Sequence, residues 1–414
     1  MENSHLSKEN IKVRDYVVDH AVIAHRGTTY WAPEETEAAY RWARQMGADY
    51  LEVDIQRSKD GVLLALHDNN LNRTTNCSEI FPEDSLFRAG NYTYEELMQL
   101  DAGSWFNQAF PERARTAYTP QAKVIRCHQK AYSFHGKSLA GELNPKQGIP
   151  YPSDTIFVGG KLYISTLEDV LMLAKGWRIA RNKMGERLFQ IVQENGKKTY
   201  LFFYVKDSLD NGNRPGVYIE TKEPSLYPGV ESDLYTTLSA FDWNTAEKNL
   251  KENPPFYVNH KVNTGNTKGK IVLQTFSPKS LKNLSLLFKG QIPTCYLLWL
   301  GDPNMLQADT ATYLDNIRYA IENNAHFIGP SIGGEPNNYA DLLEEWESEL
   351  IHKSGLKIHG YSFDTEKQTL YYANRTDAMF TNRTGLSIAF FKSRGSKLEL
   401  PKTDALQCLL DLGY

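Results

Sequence analysis

The sequence predicts an α/β chain folded as a closed (β/α)8 TIM barrel, and three observations carry that prediction. Short apolar, strand-like runs recur near Ala21, Leu51, Val217, Ile271, Cys295, His326, Lys357 and Ala378, eight in all. Helical patterns separate most of them: Thr36 to Met46, Thr166 to Ala180, Leu234 to Leu250, Pro278 to Phe288, Leu306 to Asn323 and Tyr339 to His352. Strands alternating with helices imply a parallel sheet, and eight strands imply closure. Finally, ionisable residues close several of the runs, which is where barrel enzymes carry their working groups.

In chain order, residues 1–20 read as a polar tail, 21–390 as the barrel and 391–414 as a C-terminal extension. The first strand, Ala21 to Ala24, ends in His25-Arg26-Gly27, where the glycine lets the chain turn sharply. In the second, Leu51-Glu52-Val53-Asp54-Ile55, apolar and acidic residues alternate with the strand period, so both carboxylates leave one face. A hard divalent cation accepts such a pair.

Ser58-Lys59-Asp60-Gly61 then reads as a tight turn between apolar runs. The connection is too short for a parallel crossover, so the chain returns as a β-hairpin carrying Leu66-His67-Asp68. With Lys59-Asp60 as the loop, Ser58 pairs with Gly61 and His67 falls opposite Glu52. Asp68 and Asn69 turn the chain onward.

From about 69 to 164 turn formers dominate, which marks an insertion over the barrel mouth containing short strands of its own. A second irregular region, Gly185 to Arg214, holds the apolar segments Leu188 to Val192 and Tyr200 to Val205 around Asn195-Gly196-Lys197-Lys198, the pattern of an inserted hairpin. The third barrel strand follows as Gly216-Val217-Tyr218-Ile219-Glu220-Thr221-Lys222, an apolar run ending in an acid with a cation two residues later on the same face. Glu220 reads as a third metal ligand. Lys222 reads as a phosphate contact or as an ion-pair partner of Glu220. Three carboxylates suit Mg²⁺ or Ca²⁺, whereas zinc would draw on His or Cys.

Composition narrows the function classes. A hydrophobic content of 41% supports a sizeable core, yet no apolar run is long enough to span a bilayer. The formal charge of -4 offers nucleic acid no bulk attraction. Cys77, Cys127, Cys295 and Cys408 lack metal-type spacing; Cys295 reads as a buried thiol, and Cys77 and Cys127 both fall in the long insertion, where a disulfide is an open option. Met1 to Asp15 lacks the apolar core of a secretory signal, so a soluble protein is expected, cytoplasmic or exported as a processed chain.

His25-Arg26-Gly27, the acid-rich Pro33-Glu34-Glu35-Thr36, Glu52-Val53-Asp54, Leu66-His67-Asp68 and Ile219-Glu220-Thr221-Lys222 together resemble the glycerophosphodiester phosphodiesterase family. The likeness extends to Asp101-Ala-Gly-Ser-Trp105-Phe106, Leu273-Gln-Thr-Phe276-Ser277-Pro278 and Asp377-Ala-Met-Phe-Thr381-Asn382-Arg383, so it spans roughly residues 21 to 385. The resemblance implies that Glu52, Asp54 and Glu220 hold the metal, that Arg26 and Lys222 grip the phosphate, and that His25 and His67 are the base and acid pair. Two departures are visible: Glu35 stands where the family usually has Asn, and Asn382 where it usually has Asp. Both are expected to lie outside the ligand set and to bear on substrate rather than catalysis. The tryptophan usual on the last-but-one strand corresponds to Phe363, which is expected to wall the substrate without an indole donor.

The implied activity is metal-dependent hydrolysis of a small glycerophosphodiester to sn-glycerol 3-phosphate and an alcohol. Two alternatives stand beside it: a lysophospholipase D or sphingomyelinase-D-like lipid phosphodiesterase, which needs an exposed apolar rim at the mouth, and a catalytically inactive phosphodiester-binding barrel.

Overall fold

Period-two burial explains the barrel strands. In the strand Tyr50–Arg57 every residue from Tyr50 to Gln56 is buried, but the alternate residues face different surroundings. Leu51, Val53 and Ile55 pack with Trp42, Leu167 and Leu171 of the surrounding helices. Tyr50 instead joins Ile23, Tyr218, Val272, Cys295, Phe327 and Phe380 in a separate cluster filling the barrel interior. Glu52 and Asp54 share the parity of Tyr50 and therefore the inward face.

The computed structural model describes residues 5–135, 148–194, 196–247, 255–393 and 404–414. Its centre is a barrel of eight parallel strands: β1 (Ala21–Ala24), β2 (Tyr50–Arg57), β3 (Gly216–Thr221), β4 (Ile271–Thr275), β5 (Thr294–Leu298), β6 (Phe327–Pro330), β7 (Lys357–Phe363) and β8 (Ala378–Thr381). Closure is complete because β1 pairs with both β8 and β2. Helices surround it: α1 (Glu37–Met46), α2 (Leu167–Ala174), α3 (Val230–Ala240), α4 (Pro278–Phe288), α5 (Thr310–Glu322), α6 (Glu345–Lys353), α7 (Glu366–Tyr372) and α8 (Thr384–Ser393). Local sequence sets their ends. The Ser277 hydroxyl accepts from the Ser280 N–H with Pro278 opening α4, and Thr166 and Asp169 form a capping box on α2.

Several expected boundaries move. Residues 166–180 do not form one helix: α2 stops at Ala174, Gly176 takes a left-handed φ of 84°, and Trp177–Ile179 becomes a strand against Tyr204–Lys206. The helix expected over Leu234 to Leu250 runs instead from Val230 to Ala240, and residues 248–250 lie outside the described ones. The fifth and sixth helices start later than expected, at Thr310 and Glu345.

The turn after β2 is one residue longer than expected. Leu63–Ala65 does run antiparallel to β2, but the pairs are Ile55 with Ala65, Gln56 with Leu64 and Arg57 with Leu63. The Ser58 N–H donates to the Val62 carbonyl and the Val62 N–H to the Ser58 hydroxyl, so Lys59-Asp60-Gly61 is a three-residue loop with Gly61 at φ 91°. His67 is therefore not opposite Glu52; the pairing ends with the Leu66 N–H donating to the Asp54 carbonyl.

Between His67 and β3 the chain adds short strands. Ile125–Cys127 pairs with Ile156–Val158, and Tyr132–Ser133 with both Ile149–Pro150 and Tyr204–Lys206. Phe189–Glu194 pairs with Lys197–Phe202. Residues 136–147 of the expected insertion, Asn195 of the second one, 1–4 of the tail and 394–403 of the C-terminal extension lie outside the described residues. The helix Ala405–Asp411 packs on α1, where the Trp42 indole donates to the Ala405 carbonyl. All four cysteines are free. Among the described residues no helix is long and apolar enough to cross a membrane.

Gly27 shows why this backbone needs glycine at the β1 turn. Its φ is 80°, and a Cβ there would stand 2.8 Å from the Ala39 Cβ and 2.9 Å from the Ala39 carbonyl carbon. Gly27→Ala is expected to cost about 2 kcal/mol or more, combining left-handed strain with a clash against α1. Urea unfolding would check it, and an unchanged midpoint would contradict the packing argument.

Candidate active site

The in-register pairing of β2 with β3 assembles the acids. Glu220 sits directly beside Asp54, and Tyr218 beside Glu52. Glu52, Asp54 and Glu220 are only 1%, 1% and 5% exposed. They line a cavity of about 720 Å³ together with His25, Arg26, His67 and Lys222, so all seven expected site residues converge.

Each group is held by identifiable contacts. After β1 the chain turns left-handed at Arg26, φ 53°, and this directs the Arg26 N–H onto Glu52 Oε2 at 2.7 Å. Gln274 Nε2 donates to Glu52 Oε1 at 2.9 Å. The Arg26 guanidinium lies between Glu34, 3.2 Å away, and Asp54, 3.4 Å away. Lys222 Nζ is 3.1 Å from Glu220 and 3.8 Å from Asp54, so the ion-pair reading of Lys222 holds in this state.

The two histidines have different partners. His25 Nδ1 is 2.7 Å from Asn382 Oδ1, and the Asn382 amide nitrogen donates to Asp364, which turns the amide oxygen toward the imidazole. His67 Nδ1 is 2.7 Å from Asp68 Oδ1. Asp68 in turn binds Arg73, which also binds Glu34. The Gln56 side chain fixes the chain at His67 by donating to the carbonyls of Leu66, His67 and Asp68, while Tyr227 donates to its Oε1.

Burial dominates the electrostatics. It raises Glu52 well above the usual carboxylate range, with the Asp54 and Glu220 charges adding to the effect. Glu220 is pushed up to about 8 by burial and by Asp54, against the pull of Lys222. Burial also opposes ionisation of Asp54, but Lys222, His67 and Arg26 outweigh it and hold that carboxyl low. Burial and the Arg26 charge hold His25 down to about 3. Crowded acids that resist ionising together fit a divalent cation, and so does Asp54 Oδ2, which is buried without a hydrogen bond.

The sequence reading also missed residues. Glu35 lies inside the acid cluster rather than outside it: one carboxylate oxygen from each of Glu35, Glu52 and Asp54 falls within 4.8 Å of the others. Both of its oxygens are already engaged, by the Asp54 N–H and the Tyr40 hydroxyl, and Glu35 does not line the cavity. Asn382 touches His25 directly, so that departure bears on the imidazole and not only on substrate. Phe363 is not a cavity wall. A register shift in β7 between Gly360 and Phe363 sends it into the layer beneath the outer helices against Tyr372, and Tyr361 lines the cavity instead.

A closed parallel barrel with ionisable side chains gathered beyond the ends of its strands is the architecture of a barrel enzyme. The model of the glycerophosphoryl diester phosphodiesterase family matches residues 25–246, more than half of the chain. The chain belongs to that family and is an enzyme of the phosphoric diester hydrolase class. A glycerophosphodiester phosphodiesterase of Bacillus subtilis (strain 168) is 26% identical over 362 residues, covering 87% of this chain and 81% of the relative. A provisionally assigned glycerophosphoryl diester phosphodiesterase of Silicibacter pomeroyi DSS-3 shares the fold with a TM-score of 0.55 at 13% identity, over 95% of this chain and 97% of that one. A phosphodiesterase of Oleispira antarctica, solved with the product sn-glycerol-3-phosphate, shares it with a TM-score of 0.50 at 17% identity, over 90% and 97%.

Proposed function

We propose that this enzyme hydrolyses small, deacylated glycerophosphodiesters to sn-glycerol 3-phosphate and an alcohol, using a divalent cation, Ca²⁺ or Mg²⁺, and a pair of histidines. The observation that carries the reading is the convergence of Glu52, Asp54, Glu220, His25, Arg26, His67 and Lys222 in one cavity. The product bound to the Oleispira antarctica phosphodiesterase is the one named here, which supports the choice of substrate class.

Glu52, Asp54 and Glu220 would hold the ion, since they are the buried acids that line the cavity. When bound, a divalent cation neutralises phosphoryl oxygens that otherwise repel a nucleophile. Arg26 and Lys222 do the same from the protein side, and the Arg fork can meet two oxygens. The Asn382 amide oxygen accepts from His25 Nδ1–H, leaving Nε2 bare to take a proton from the attacking hydroxyl. His67 faces a carboxylate, which stabilises its protonated form and suits it to protonate the departing alkoxide.

The experiment is a diester panel assayed with EDTA and then with added Ca²⁺ or Mg²⁺. Hydrolysis of glycerophosphocholine or glycerophosphoethanolamine that stops on chelation and returns with metal is expected. Lys222→Ala should raise KM or lower kcat, depending on whether the cation grips the ground state or the developing charge.

One observation favours a lipid substrate instead. Trp299 lines the cavity, Leu300 and Leu306 follow it on the loop after β5, and all three are exposed apolar side chains. A higher kcat/KM for a lysophospholipid than for a deacylated diester, at matched metal, would make lysophospholipase D the better description.

A further inference from the structure

Part of the cavity wall is aromatic, formed by Phe276, Trp299, Tyr339 and Tyr361. Phe276 meets Tyr361 at 5.8 Å and 90°, Trp299 meets Tyr339 at 5.3 Å and 75°, and Tyr339 lies 6.3 Å from Tyr361 at 55°. In an edge-to-face pair one ring presents its edge, so its own faces stay uncovered by its partner. Phe276 already accepts a cation, because Lys222 Nζ sits 5.4 Å over its ring.

Two further acids, Glu223 and Asp302, line the same cavity. A turn joins Asp302 to Trp299, the Asp302 N–H donating to the Trp299 carbonyl at 3.2 Å. Neither acid forms an ion pair among the described residues, and burial together with the Glu223 charge pushes the Asp302 carboxyl up. Negative charge beside a site for an anionic phosphodiester works against binding unless the rest of the substrate brings a cation.

We propose that this aromatic wall is the subsite for a cationic alcohol group on the diester, a quaternary ammonium above all. The proposal rests on the phosphodiesterase reading and names the substrate class that reading leaves open. Aromatic faces suit a bulky, weakly hydrated cation without N–H donors, while a primary ammonium needs acceptors in fixed places. Glu223 and Asp302 supply the opposite charge without having to touch the methyl groups.

The test compares kcat/KM for glycerophosphocholine with that for its uncharged isostere, in which a tert-butyl carbon replaces the trimethylammonium nitrogen, at one metal concentration. A preference of about tenfold or more for the charged diester is expected, the size of a partly desolvated cation–π contact. In Trp299→Leu and Asp302→Asn that ratio should fall toward one. Asp302→Asn keeps the side-chain shape, so it decides the matter if the tryptophan variant misfolds. Equal kcat/KM for the two diesters, or a preference that both variants retain, overturns the subsite and leaves the phosphodiesterase reading standing. If neither diester is turned over with metal supplied, the phosphodiesterase reading fails and takes the proposal with it.

Discussion

Glu52→Gln is expected to lower kcat by about 10³-fold or more, equivalent to the several kcal/mol that a bound cation contributes to charge stabilisation, and to abolish calorimetric binding of Ca²⁺ or Mg²⁺. The substitution preserves size, so the effect isolates charge. Glu52 is buried, takes its hydrogen bonds from the Arg26 N–H and Gln274, and belongs to the acid cluster. An amide there offers a hard cation a neutral oxygen in place of an anionic one. It also sets an NH₂ group against either the Arg26 N–H or the Gln274 amide. Full activity after exhaustive chelation would remove the ion from the account, and wild-type metal affinity in the variant would remove Glu52 from its ligands.

His25→Ala and His67→Ala should each lower kcat by at least ~10²-fold, the lower end of what a positioned proton-transfer group supplies, with circular dichroism unchanged. Neither ring is a main element of the packing: His25 is half-buried at a strand end, and His67 is half-buried beyond the short strand Leu63–Ala65. Their partners suit the different roles proposed for them. Burial and Arg26 keep His25 neutral at pH 7, the form a base requires, and its partner is an uncharged amide. His67 is also held below its ordinary range by burial and Arg26, but Asp54 and Asp68 pull the other way. A near-normal rate in either variant would take that imidazole out of the mechanism.

The fold was legible because its signals are local and repeated. Apolar runs with helical patterns between them give a parallel barrel whatever the details of the loops. Glu52 and Asp54 were legible for the same reason, since acids alternating with Leu51, Val53 and Ile55 have one face available. Register was harder. Counting from an assumed two-residue loop misplaced His67, because the left-handed Gly61 belongs inside the loop and a single-residue slip changes every pairing beyond it. Phe363 failed similarly, through an irregularity in β7 that no period reveals.

Glu34, Glu35 and Asn382 reach the site from chain that follows β1 and β8, and the path of such loops depends on tertiary contacts rather than on periodicity. Gln274 did leave a signal: a polar amide inside the buried apolar strand Ile271–Thr275 needs a partner, and Glu52 is that partner.

Gln56 has a consequence for how freely this protein can vary. One side chain on a barrel strand ties down the three carbonyls around His67, and Arg73 secures Asp68 from only a few residues further on. These direct ties are complete before Thr74. The chain beyond still reaches back, because the Trp105 ring lies 5.7 Å from the Arg73 guanidinium and the Phe87 carbonyl accepts from the Leu71 N–H, so changes in it are felt at His67 through Arg73 and Asp68 rather than by direct contact.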